Sequence, residues 1–371
     1  MGFHERVEGL AKHLKSNLLF YTIAAIVIGF LVGVANKQWF AGNKNTVKEA
    51  ILILAIATIY PSMVQLRMEK MRGTFTKGKE VALGLAIVFV VSPLLAISFS
   101  KMFSDIQVAM GFVTSNIVPA SSASIGYVLV AEGDIELATI LAILSLIGAL
   151  AAIPGYLRLY ASMISVSIPI SKIMNIVVYT LVLPLIAGQA TRCLVIKWAA
   201  SQPGIRRGVI ELRLKHLMQT LTMLSMLTLV ALLVASKAGL LEKNPLIAVK
   251  VVGLQALMLA LLLGLVEVVD RAMKVSYRAH SAVAFISATK NQSIAAAIAV
   301  MALGPRAAIV PALVPVIQAP VAIAYLHRLI RRCQRGDKET SIEGLKGKTG
   351  DFRKEGVRLL SVQRSLCILK S

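Results

Sequence analysis

An all-α polytopic membrane protein is the fold class this sequence predicts, and three observations predict it. The chain has 371 residues, 57% of them hydrophobic, with a mean hydropathy of +0.76. Segments of about 20 apolar residues recur along its length, and each is long enough to cross a hydrocarbon core as a helix. Two of these segments carry polar residues at their centres, where lipid would leave broken backbone unsatisfied unless protein or solute filled the gap. The first, 111–136, runs from Gly111 through Pro119 and three serines to Glu136; the second lies within 279–303.

Ten spans follow in order. A short basic leader, 1–16, carries Arg6, Lys12 and Lys15. The first span covers 17–36, too long for the apolar core of a signal peptide. A polar loop with Lys37, Lys44 and Lys48 leads into the second, 46–66, which contains Tyr60-Pro61. After a strongly basic loop comes the third, 80–100. The fourth is the broken stretch, ending at Glu132-Gly133-Asp134, and the fifth covers 135–162. The sixth covers 171–198, and the basic loop after it leads to the seventh, 216–237. The eighth covers 246–269, the ninth 279–303 and the tenth 306–330. Residues 331–371 form a basic polar tail without the motifs of a second domain. The transporter domain is thus 17–330, with one five-helix unit at 17–162 and another at 171–330.

A formal net charge of +22 would suggest nucleic acid for a soluble protein. Here its distribution gives a different account. With the N-terminus inside, the cytoplasmic loops and ends hold 28 of the 40 Lys and Arg and the outer loops hold 9. Lysine and arginine accumulate on the cytoplasmic side of membrane proteins. Both termini are therefore expected in the cytoplasm, in a plasma or inner membrane, with lipid rather than nucleic acid as surroundings. Cys193, Cys333 and Cys367 are too few and too scattered for a disulfide framework. They read as reduced and inert.

The two breaks hold the residues with functional promise. In the fourth span these are Asn116, Pro119, Ser121, Ser122 and Ser124. Proline removes a backbone donor and clashes with the preceding turn. In the ninth span they are Thr289, Lys290, Asn291, Gln292 and Ser293. Five helices separate the breaks, and an odd repeat length inverts the second unit relative to the first. Paired interrupted helices in inverted halves are the sequence sign of a transporter's binding site, where half-helix N-termini face an anion and unwound carbonyls face a cation. A lone proline kink binds nothing in most membrane helices; the matched pair is what gives the reading its weight.

Lys290 stands out, because a lysine near a span's centre costs roughly 2.5–3.5 kcal/mol on insertion. It is either structural glue against the carbonyls of the fourth span or a fixed charge in a cavity. In the second case it attracts an anion, stands in for a bound cation, or exchanges a proton. Other polar residues have plainer readings. Glu267, Asp270 and Arg271 form an interfacial charge cluster, and Arg192 and Lys250 snorkel. Asn175, Gln189, Gln255 and Gln318 bridge helices by hydrogen bonds. The histidines form no ligand cluster. No phosphate-binding loop, nucleophile elbow or His-Glu-x-x-His occurs, so the chain is not expected to be an enzyme, to drive transport with nucleotide, or to hold a metal or cofactor.

Three stretches resemble the superfamily that joins the bile acid:sodium symporters and the arsenical-resistance-3 arsenite permeases. They are Tyr60-Pro61-Ser62-Met63-Val64-Gln65-Leu66-Arg67-Met68-Glu69-Lys70, the break Val118-Pro119-Ala120-Ser121 with its following Glu132-Gly133-Asp134, and 285–297 around Lys290. The first is similar to the arsenite-permease version of that helix end. The resemblance, over about residues 17–330, implies ten helices in two inverted five-helix repeats. It also implies a panel and a core domain, crossing helices 4 and 9, and coupling to an ion gradient. At Ala120 the arsenite permeases carry a cysteine, and at Ser287 the sodium symporters carry a glutamate. The resemblance therefore supplies neither a thiolate for As(III) nor a carboxylate for sodium at these places.

The expected function is secondary transport of a small anion or metalloid oxyacid by alternating access, similar to arsenite efflux permeases. The alternative is sodium-coupled symport of an organic anion. A non-transporting receptor on the same fold is disfavoured, since it gains nothing from two costly polar interruptions. The coupling ion, proton or sodium, and the oligomeric state are left open by the sequence.

Overall fold

A computed structural model describes residues 3–68, 77–201 and 207–346. Among these residues the chain is helical, without strands. In order, α1 is Phe3–Ser16, α2 Leu18–Ala35, α3 Lys37–Gly42, α4 Lys44–Gln65 and α5 Gly78–Ser100. Then α6 is Ile106–Ile117, α7 Ala123–Val130, α8 Ile135–Met163, α9 Ile170–Trp198 and α10 Arg207–Lys243. Finally α11 is Pro245–Ala272, α12 Tyr277–Ala288, α13 Gln292–Leu303 and α14 Ile309–Lys346. Eight helices are long and apolar enough to cross a membrane: α2, α4, α5, α8, α9, α10, α11 and α14. Two shorter apolar helices, α6 and α13, are halves of the broken spans.

The chain divides into two units, 1–324 and 325–371. The predicted tail begins inside a helix, since α14 continues past residue 330 to Lys346. The segment 347–371, including Cys367, lies outside the described residues. Two other boundaries differ from expectation. The basic leader is itself helical, as α1. The fourth span starts at Ile106, five residues before Gly111, because the Asp105 side chain accepts from the Gln107 and Val108 amides and caps the helix there. An aspartate at this position satisfies amides that have no partner inside the helix.

Packing in the first unit follows side-chain size. Gly29 and Gly33 on α2 lie against the α10 backbone: a Cβ built on Gly29 would fall 2.4 Å from the Ala231 carbonyl oxygen, and one on Gly33 would fall 2.3 Å from that of Ala235. Small residues let membrane helices approach closely. The opposite side of α2 presents Phe20, Ile23, Val27, Ile28 and Leu31 outward, as a lipid-facing helix must. Leu146, Ile153 and Leu157 of α8 are buried in one apolar cluster with Ile51 and Ile59 of α4 and with Ile294 and Ile298 of α13.

Helices α5 and α9 share a device. Each holds one π turn, Ile87–Val91 and Val178–Val182, immediately before a Ser-Pro or Leu-Pro pair. Pro93 and Pro184 have no N–H to donate, and the ladder shifts register there instead of stopping. In α5 the Ser92 hydroxyl donates to the Asn116 carbonyl at 2.9 Å, which ties the third span to the broken one.

Candidate functional site at the crossing of two broken helices

Local sequence creates both breaks. Val118 precedes a proline and is pushed out of the helical region, to φ −67°, ψ 157°, as a residue before proline should be. Helix resumes at Ala123, whose amide donates to the Ser121 hydroxyl at 3.3 Å. In the second break Thr289 is extended, at φ −101°, ψ 107°. Helix resumes after Asn291, whose side-chain oxygen accepts from the Ser293 amide at 3.2 Å.

The two extended pieces pair with each other. Ala120 and Lys290 form an isolated antiparallel bridge. The Ser121 amide donates to the Thr289 carbonyl and the Asn291 amide donates to the Pro119 carbonyl, each at 2.9 Å. The backbone groups freed by the breaks are thus satisfied by the opposite break, which is what a hydrocarbon interior demands. The Ser124 hydroxyl adds a bond to the Thr289 carbonyl at 3.3 Å and a short contact to the Thr289 hydroxyl.

Each extended piece is also held by the next spanning helix after its break. The Ala120 amide donates to the Ser145 hydroxyl on α8 at 3.3 Å. The Lys290 amide donates to Gln318 Oε1 on α14, and Gln318 Nε2 donates back to the Lys290 carbonyl, both at 3.1 Å. Neither the bridge nor these clamps uses the lysine side chain. Lys290 is 2% exposed, and its Nζ has no hydrogen-bond partner among the described residues. No ion pair to it is formed among the described residues.

The predicted residues fall into four groups. Pro119, Ser121, Ser124, Thr289, Lys290 and Asn291 make the crossing itself. Gln292 and Ser293 open α13 beside it, with Gln292 Nε2 donating to the Ser115 carbonyl at 3.1 Å. Ser122 is exposed at the rim, where its hydroxyl meets that of Ser62 on α4 at 3.0 Å. Asn116 differs in kind. Its amide exchanges two 3.0 Å bonds with Gln255 of α11 and donates to the Phe112 carbonyl at 2.9 Å. It fixes the first break to the eighth span.

Gln318 and Gln255 bridge helices as expected. Gln189 does so as well, donating to the Met63 and Leu66 carbonyls at the end of α4 at 2.7 and 3.0 Å. Asn175 is exposed instead, and Arg192 is buried rather than snorkelling. Lys250 lies over the Phe103 ring at 5.9 Å. The Asp270 carboxylate meets His280 at 2.5 Å, and Glu267 meets Arg271 at the same distance. The first of these pairs was not visible in the sequence, because ten residues and a helix boundary separate its members. Ser145 and Ser115 were not legible either, since a single serine in an apolar helix gives no periodic signal, and Ser287 entered only through the resemblance.

Electrostatically the crossing favours negative charge. Helices α7 and α13 both begin at it, and a helix N-terminus carries partial positive charge. The buried Nζ of Lys290 lies at the same place. Among the described residues no group of three or more His, Cys, Asp or Glu could hold a metal ion.

Eight membrane-length apolar helices, with two further spans broken at one shared crossing, define an integral membrane protein. The model of the Sodium Bile acid symporter family matches residues 51–244, over half of the chain. The chain belongs to that family. No curated protein matches it. The matched residues contain the first break, and Lys290 with the second break lies beyond them.

Proposed function

We propose that this protein is a secondary transporter that carries a small anion across the plasma or inner membrane by alternating access, with both termini cytoplasmic. The observation that carries the reading is the buried Nζ of Lys290 at the crossing, without a partner among the described residues. A charge removed from water without a partner costs several kcal/mol, and an intramembrane ionisable residue is by default a functional one. Two inverted five-helix repeats account for the arrangement. Their support is the matched clamping of Ala120 by the span after the first break and of Lys290 by the span after the second. Ser121, Ser122, Ser124, Thr289, Asn291, Gln292 and Ser293 would line the pathway.

The solute of this first reading is a small anion or metalloid oxyacid, as in arsenite efflux permeases. Ala120 leaves the crossing without a thiol at that position. The second reading, sodium-coupled symport of an organic anion, is favoured by the family's description. Its sodium would be held by the polar residues of the breaks, next to a lysine that opposes it. The coupling ion is a proton or sodium.

Uptake by the purified protein in liposomes, with sodium replaced by choline, separates the two readings. Anion uptake that persists without sodium supports the first. Strict sodium dependence supports the second. Lys290→Ala should abolish or recouple transport, and wild-type kinetics in that variant would remove the basis of the fixed-charge reading.

A further inference from the structure

The buried polar atoms left without partners are concentrated at one place. Six such side-chain atoms occur among the described residues, and four belong to residues flanking the crossing: Ser115 Oγ, Ser287 Oγ, Lys290 Nζ and Gln292 Oε1. Buried polar groups in folded proteins are nearly all hydrogen-bonded, and each exception calls for a cause. Elsewhere in these helices hydroxyls bond the preceding turn. Thr114 does so to the Met110 carbonyl at 2.7 Å and Thr289 to that of Phe285 at 2.7 Å. Ser115, next to Thr114, and Ser287, two residues before Thr289, do not.

The chemistry of the unfilled set is mixed. When protonated, Lys290 Nζ only donates. Gln292 Oε1 only accepts, and its orientation is fixed, because Gln292 Nε2 is held by the Ser115 carbonyl. A flipped amide would put two acceptors face to face. The two serine hydroxyls can donate or accept. A plain carboxylate or nitrate answers the ammonium and leaves Gln292 Oε1 unmet. A neutral hydroxylated acid answers Gln292 and leaves the ammonium uncompensated.

We infer that the crossing binds a singly charged oxyanion that keeps at least one O–H. Its ionised oxygen faces Lys290, its hydroxyl donates to Gln292 Oε1, and Ser115 and Ser287 complete the shell. This rests on the anion-transport reading above and narrows it to one chemical class. The class excludes bare anions by their missing donor and neutral oxyacids by their missing charge.

The test is binding to the purified full chain in sodium-free detergent solution, read as a thermal shift with three probes. These are hydrogen selenite (charge and O–H), nitrate (charge alone) and arsenous acid (O–H alone). Hydrogen selenite should bind about tenfold or more tightly than either of the others, the factor expected for one buried acceptor left unmet. Gln292→Met should bring hydrogen selenite down to the level of nitrate while nitrate itself is little changed. Lys290→Met should lose both anions. Equal binding of nitrate and hydrogen selenite to the wild type would overturn the hydroxyl requirement and leave the anion reading standing. Equal binding of arsenous acid would overturn the charge requirement. If no anion shifts the wild type, the anion reading itself fails and takes this inference with it.

Discussion

Gln318 grips the peptide of Lys290 from both sides, accepting from its amide and donating to its carbonyl at 3.1 Å each. The lysine backbone is therefore fixed by α14 while its side chain is left free of partners. Replacing Gln318 by Leu strands a buried N–H and a buried C=O, each costing about 1–3 kcal/mol when unmet. Interhelical bonds in membranes average about 0.6 kcal/mol when a partner is found elsewhere. A loss of roughly 1–3 kcal/mol is expected, with a clear drop in melting temperature in detergent. Gln318→Glu keeps the acceptor for the Lys290 amide and loses the donor, so its loss should be smaller. A melting temperature unchanged in Gln318→Leu would show that the clamp does not hold the break.

Close packing of α2 on α10 gives a second expectation. A side chain at Gly33 must displace the Ala235 backbone and the Ala238 methyl, which would lie 2.3 to 2.6 Å from its Cβ. Gly33→Leu should destabilise by several kcal/mol or prevent folding, in line with forced overpacking. Gly253 on α11 has nothing within 4 Å of its Cβ position. Gly253→Ala should be neutral or stabilise by about 0.5–1 kcal/mol through helix propensity. Melting of the two variants side by side checks whether approach distance, rather than glycine itself, is what matters.

Much of this architecture was legible in the sequence, because membrane spans announce themselves by length and hydropathy. The eight long helices lie close to the predicted segments, and both breaks fall where Pro119 and the run from Thr289 to Ser293 placed them. Helix ends were less legible. Asp105 starts α6 through two side-chain bonds that no hydropathy pattern carries, and α10 and α14 run past the ends of their apolar segments as polar helix. The pairing of Ala120 with Lys290 was beyond reach from sequence, since 170 residues separate them and neither side chain makes the contact. Crossing could be expected from two breaks, but its register is set by backbone hydrogen bonds.

A charge cluster between α5 and α8 gives a pH expectation. Lys77 Nζ lies 2.8 Å from Asp134 Oδ2 and 3.1 Å from Glu136 Oε2. Burial works against the charge on Asp134, but the Leu137 amide and Lys77 outweigh it, and its pKa is lowered from 3.8. Burial likewise works against the charge on Lys77, and its two carboxylate partners raise its pKa above 10.5. A lowered carboxylate pKa adds stability that is present above 3.8 and is lost as pH falls through the folded-state value. A raised lysine pKa adds stability that is present below 10.5 and is lost as pH rises through its folded-state value. Between these limits the pair should contribute evenly. Lys77→Met should flatten the acid limb of the melting temperature against pH. An unchanged acid limb would place the acid sensitivity elsewhere.

The contact between Ser62 and Ser122 tests movement at the crossing. Their hydroxyl oxygens lie 3.0 Å apart, one on α4 and the other at the rim of the first break. The α4 end is itself held to α9 by Gln189, so the two helices are tied together there. Under the proposed alternating access, these two helices are expected to slide or rock against the break. Two cysteines at 62 and 122 would place their sulfur atoms close to bonding distance, within the span a disulfide tolerates. With Cys193, Cys333 and Cys367 replaced by serine, Ser62→Cys with Ser122→Cys should crosslink under mild oxidation. Transport in liposomes should stop and then return on reduction. Each single cysteine variant should transport under both conditions. A crosslinked protein that still transports at the normal rate would mean that these two surfaces stay together through the cycle, and the moving boundary would have to lie on another face of the crossing.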